Sequence, residues 1–177
     1  MAPADLSIYE DTKPSEGSLA LAHQQLLYVQ QATAWTNATG DINNLNLNPT
    51  DITVPREVYG QKGRPSTEII GRSYAPTFDV EVIRDPATKQ IVAAQAWLLD
   101  LIDAATSTGE DNKRRFRIVE DALDERMPAY EGKFAVSYAR ASAGYADKGV
   151  LTFTLQSDGV VERMAVSPIA DDFTETP

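Results

Sequence analysis

The chain has 177 residues, 26 acidic and 16 basic side chains, a formal net charge of −10 and a sequence pI near 4.5. That length supports one domain with a real core, and the acid excess excludes a protein that clamps nucleic acid through clustered Lys and Arg. The absence of cysteine excludes a disulfide framework, a thiolate nucleophile, Cys-ligated zinc and iron–sulfur clusters.

Residues 1–18 are polar and broken by Pro3, Pro14 and Gly17, which predicts an irregular N-terminal arm ahead of a single domain over 19–169. The opening six residues lack the basic-then-apolar order of an export signal, and no apolar run nears the roughly 20 residues a membrane span needs; synthesis in the cytosol and no membrane contact are expected. Residues 19–31 fit two periods. Leu19, Leu21, Leu27 and Val29 alternate as in a strand, whereas Leu19, His23, Leu26, Leu27 and Gln30 line one helix face, and the strand reading is adopted. Over 36–75 the chain carries Gly40, Pro49, Pro55, Gly60, Gly63, Pro65 and Gly71, with short β-prone pieces at 52–54 and 69–70. A structureless connection that long is unusual inside a compact domain, so a projecting hairpin or interaction loop is expected.

From Phe78 the alternation is clean: Phe78, Val80 and Val82 against Asp79 and Glu81 predict a half-buried strand. Asp85-Pro86 has the chemistry of an N-cap followed by a first-turn proline. Ile91, Ala94, Leu98, Leu101, Ile102 and Ala105 then recur at helical spacing, predicting one helix over 86–106. Strands are predicted at 114–120, 130–138 and 151–156, and Asp158-Gly159 reads as a tight turn that returns 160–166 as a hairpin partner. Residues 170–177 form an acidic tail. One helix among about seven strands predicts a mainly β (α+β) fold, an antiparallel β-sandwich or partial barrel with one packed α-helix and a long projecting loop.

No residue pattern points to catalysis. His23 is the single histidine, and no paired motif surrounds it. Asp100 and Asp103 sit beside the apolar helix stripe, where solvated charge is ordinary, and the 109–113 stretch lacks the oxygen spacing of a calcium loop. Neither a phosphate-binding nor a dinucleotide-binding glycine motif occurs. No cofactor or metal is expected. The densest basic run, 113–117, encloses Phe116 and could touch nucleic acid in isolation. With Glu120, Asp121, Asp124 and Glu125 behind it, the reading adopted is half of an interface ion-pair set, with Arg115 and Arg117 as contact candidates.

The block from Gly132 to Gln156, the closing strand that ends at Ser167-Pro168-Ile169, the Tyr59-Gly-Gln-Lys-Gly63 loop and the strand over 78–84 before Asp85-Pro86 together resemble the tail tube proteins of long-tailed bacteriophages with flexible, non-contractile tails. The resemblance covers about 19–169. It implies a structural virion protein that assembles as hexameric rings stacked into a tube, with strands lining an inner barrel, a helix outside, and a long loop and terminal arms binding the next ring. It further implies a virion location after assembly in the host cytoplasm, and partners that include tape measure, tail terminator and baseplate or tail-tip proteins. DNA would pass without specific binding through an acidic lumen, since like charge opposes phosphate adhesion. The polar strand positions Asp79, Glu81, Glu131, Thr152, Thr154 and Gln156 are the lumen candidates. The mixed-charge loop supplies inter-ring or inter-subunit candidates in Arg56, Glu57, Lys62, Arg64, Glu68 and Arg72, with Arg115 and Arg117 beside them. Other readings stay open at this point: another virion or injection-system ring protein such as a terminator, a small β-sandwich binding module using its long loop, and an enzyme built on His23.

Overall fold

Ten strands account for the apolar alternation in the computed structural model, which describes residues 25–56, 66–124, 126–141 and 148–164. They are β1 (Leu26–Gln31), β2 (Ala34–Asn37), β3 (Ile42–Asn46), β4 (Pro49–Arg56), β5 (Ser66–Tyr74), β6 (Thr77–Glu81), β7 (Lys113–Val119), β8 (Ala129–Arg140), β9 (Val150–Ser157) and β10 (Glu162–Met164). Eight form one antiparallel sheet in the order β2-β1-β7-β8-β9-β6-β3, with β10 pairing β8; β4 and β5 pair only with each other.

The sheet must roll. β2 and β3 are its two opposite edges, yet only residues 38–41 join them. Five residue steps reach at most about 17 Å, whereas seven strands laid flat would hold their edges roughly 29 Å apart. The link is shorter still, because Thr39–Asp41 is a 3-10 turn, and Ala38 and Thr39 are bonded back to the Leu27 backbone at 2.9 Å. A partial barrel results.

The helix α1 (Ala96–Thr106) fills the concave side, burying Trp97, Leu98, Leu101 and Ala104 against alternate residues of the strands. Phe78 stacks on Phe153 with ring centroids 5.4 Å apart, and Phe116 meets Phe134 edge-on at 5.8 Å. Each such buried apolar side chain stabilises the fold by about 1.5–3 kcal/mol. The mainly β class with one packed helix is therefore observed among the described residues.

Two local expectations are corrected. The helix begins at Ala96, ten residues later than the Asp85-Pro86 signal placed it. The Asp85 carboxylate does accept the N–H groups of Ala87 and Thr88 at 2.7 and 2.8 Å, but it closes an isolated turn. Lys89 then adopts φ +62° and Arg84 bridges Ile91, so 84–91 is a small hairpin. An Asp that caps a helix and an Asp that closes a turn make the same local bonds. Second, Asp158-Gly159 does not reverse the chain. β9 and β10 both run antiparallel to β8, β9 against 134–140 and β10 against 129–131. The chain side-steps at Gly159 (φ +81°) and continues along β8. Gly132 makes this possible, because a Cβ there would lie 2.9 Å from a Val161 methyl.

Within 19–31, β1 is a strand, and 1–24 lie outside the described residues. Of the segment 36–75, only the β4–β5 hairpin projects; Ile42–Asn46 is an edge strand of the main sheet.

Candidate functional site

Alternation gives the rolled sheet a second face with no helix on it. The register puts Asp79 opposite Thr152, Thr77 opposite Thr154, Ser137 opposite Thr154, Ala135 opposite Gln156, and Arg117 opposite Glu131. All six polar positions singled out in the sequence, Asp79, Glu81, Glu131, Thr152, Thr154 and Gln156, therefore share this helix-free face. Thr152 donates to Asp79 at 2.5 Å and Asn44 to the same carboxylate at 2.7 Å. Its β1 end is a small apolar patch in which Tyr28, Val119 and Ala129 are buried beneath Leu26, Trp35 and Met164.

The face carries both signs in balance. Asp79, Glu81, Glu131 and Glu162, which stands opposite Glu131, share it with Lys113, Arg115, Arg117 and Lys133. Arg115 and Arg117 both bind Glu131 of their own sheet, the latter at 2.7 Å, and Arg117 also lies 4.1 Å over the Trp35 ring. Glu110 bonds Lys113 at 2.7 Å and also Lys133, and Lys113 reaches Asp158 at 2.8 Å. These two lysines hold the Glu110 carboxyl at about 2. Lys148 binds Glu81 at 3.0 Å. On the opposite side Arg114 holds Asp100 of α1 at 2.8 and 2.9 Å, and that bond raises the arginine's pKa. Sequence reading missed Lys133, Glu110 and Trp35. The i, i+2 pair Glu131 and Lys133 signals a common face, but partners from other strands have no local signature.

The β4–β5 hairpin is the second feature. Its ladder runs from Pro49–Tyr74 to Arg56–Ser66 with a bulge after Ile52, and every residue of β4 is exposed. Ile52, Val54, Ile69 and Ile70 are 45–62% exposed. A free two-stranded ribbon is marginal in water, so its root is fastened. Tyr74 is buried and its N–H bonds Ser157 at 3.1 Å, while Asn48 bonds Ala75 and Thr77 at 3.1 and 3.2 Å. Beside the root lies a cleft of about 460 Å³ lined by Gln25, Leu47, Tyr74, Glu120 and Tyr130. Burial, and next the Glu120 charge, raise the Tyr130 pKa. Of the contact candidates, Arg56, Glu68 and Arg72 are on this hairpin, Arg72 paired with Asp51 at 2.7 Å. Glu57, Lys62 and Arg64 lie outside the described residues, as do His23, the arm and the acidic tail. Among the described residues no group of three or more His, Asp or Glu side chains could hold a metal ion, and no helix is long and apolar enough to cross a membrane.

Solved chains from gene transfer agent particles share this fold. One chain is from the tail of an empty gene transfer agent particle refined helically with C6 symmetry; it aligns with a TM-score of 0.60 at 12% identity, over 83% of this chain and 100% of that one. Another, from the virion of a native gene transfer agent particle, aligns with a TM-score of 0.55 at 14% identity and the same coverage. No protein-family model and no curated protein matches the sequence. At such identities the likeness is one of fold.

Proposed function

We propose that the chain is a structural, non-enzymatic subunit of a virion tail tube. Six copies form a ring, rings stack into a tube, and the helix-free sheet face lines a channel through which DNA passes. The observation that carries this reading is the division of labour in the rolled sheet: one face is filled by α1, the other is a strand surface that is polar except for the apolar patch at its β1 end, and a ribbon with apolar side chains projects from one end. The C6 symmetry of the similar tail supports a six-membered ring. In this reading Asp79, Glu81, Glu131, Thr152, Thr154 and Gln156 face the lumen. Arg56, Glu57, Lys62, Arg64, Glu68 and Arg72 make inter-ring contacts, where mixed charge sets register more than affinity. The tape measure, terminator and tail-tip proteins are its further partners, the last two meeting the two ends of the tube.

Negative-stain microscopy of the purified protein tests the proposal. Tubes or rings with a central channel are expected, and a monomer that stays monomeric at high concentration and after seeding with tail particles would overturn it. A capping ring built on the same fold would give single rings, so particle length separates these two.

A further inference from the structure

The helix-free face contains a charge arrangement that its lining role alone does not explain. Arg115 stands directly opposite Lys133 across the β7–β8 ladder, with Arg117 and Lys113 two residues to either side of Arg115. Like charges directly opposed on adjacent strands destabilise a sheet, and four cations on one polar face form the footprint that binds phosphates. Yet none of the four faces solvent unaccompanied. Glu131 takes both arginines, Glu110 takes both lysines, and Asp158 takes Lys113 as well. Glu131 is the better shielded carboxylate, with 17% of its side chain exposed against 71% for Glu110. Arg117 is held from a second side by the Trp35 ring. Glu110 lies far below its ordinary range, so it is ionised at any pH the protein would meet in a cell.

We infer that Glu131 and Glu110 are charge-masking residues: they occupy the guanidinium and ammonium groups of this face so that a polyanion sliding across it finds no free cation to hold. The biological sense of this inference rests on the tube reading, but the masking itself is a property of one subunit. Without Glu131, Arg115 loses its carboxylate and Arg117 one of its partners, and without Glu110 Lys133 loses its carboxylate while Lys113 keeps Asp158.

The test uses unassembled full-length protein on double-stranded DNA–cellulose at about 25 mM salt, where each freed cation adds roughly tenfold in affinity and steepens the log–log salt slope by about 0.9. Unaltered protein is expected to flow through. Glu131→Gln should be retained, Glu131→Gln with Glu110→Gln retained to higher salt, and Arg115→Gln with Arg117→Gln added to Glu131→Gln should flow through again. Equal elution of unaltered protein and the Glu131 and Glu110 variants, whether retained or not, overturns the inference, as does retention that survives loss of both arginines. Near-ultraviolet circular dichroism checks each variant's fold, and the single variants are read separately should the double one unfold. Microscopy of the same preparations keeps the two readings apart: tubes without gained DNA retention refute masking alone, and gained retention without tubes refutes the tube alone.

Discussion

Gln95 offers the sharpest test of how the helix is fixed to the sheet. It is the one buried polar side chain among the described residues, immediately before α1. Its Oε1 accepts the N–H of Ile83 and its Nε2 donates to the carbonyl of Glu81, both at 2.9 Å. β6 ends at Glu81, so this amide replaces the next rung of the ladder and ties the strand end to the helix start. Gln95→Met keeps the length and apolar volume but removes both bonds. A buried backbone group left unpaired costs about 1–3 kcal/mol; both bonds are only partly buried, so the sum falls at about 2–3 kcal/mol. For a domain of this size that lowers Tm by roughly 5–10 °C. Gln95→Glu adds a sign. A carboxylate can accept from Ile83 but repels the Glu81 carbonyl, and burial raises its folded pKa above the unfolded value. Its stability relative to the parent is therefore best below the unfolded carboxylate pKa and is lost as pH rises through the folded one. Urea unfolding followed by tryptophan fluorescence, with the buried Trp97 two residues away, measures both variants. Gln95→Met within about 0.5 kcal/mol of the parent, the range of an ordinary surface change, would refute the reasoning.

Gly132→Val should cost about 1–3 kcal/mol through overpacking against Val161 and Phe134, and adding Val161→Ala should recover much of the loss; no recovery in urea melts would mean the crossing of β10 over Gly132 is not the cause. Glu110 titrates at about 2 in the fold against 4.5 unfolded, so its contribution is complete above the unfolded value and disappears as pH falls toward 2. Glu110→Gln should flatten the fall in Tm across that window, and parallel curves for parent and variant would contradict the pairing with Lys113 and Lys133. Replacing 51–72 by a short Gly-Ser link should change subunit stability by less than about 1 kcal/mol, because β4 is exposed throughout and β5 contributes to the core only at Tyr74, yet it should stop polymerisation. A larger loss of stability would show the hairpin to be part of the core.

The main strands were legible because half-buried antiparallel strands write their burial into a two-residue period, as at Phe78–Val80, Phe116–Ile118 and Leu151–Leu155. What escaped depended on partners distant in sequence. Ile42–Asn46 is bulged, with Asn44 at φ +55°, and four asparagines from Asn43 to Asn48 hide its alternation. The Asp85 turn imitated a cap because a carboxylate bonds the same N–H groups in both settings. The true start of α1 is set by Gln95, whose two partners, Glu81 at the end of β6 and Ile83 just past it, lie twelve to fourteen residues earlier. The six polar strand positions fall on one helix-free face because alternation is local, whereas the cations sharing that face needed the β7–β8 register to be seen.

Net charge is the place where sequence arithmetic and geometry part most clearly. Six of the ten net negative charges fall in the two terminal segments, with Asp5, Glu10, Asp11 and Glu16 against Lys13 in 1–24, and Asp171, Asp172 and Glu175 against no base in 165–177. The helix-free face itself carries four carboxylates and four cations on its strands, and Glu110, Asp158 and Lys148 pair with them from the adjoining segments. A uniformly acidic wall would repel a polyanion over a Debye length of about 8 Å at physiological salt, and that repulsion would weaken as salt rises. A wall of internally paired charge acts differently, for it offers little field in either direction and its contact hydrogen bonds are already taken. If the face lines a channel, passage there depends on pairing geometry more than on charge count. Single neutral substitutions at Glu131 would then disturb passage more than charge removal at Asp79, whose carboxylate bonds a hydroxyl and an amide and restrains no cation.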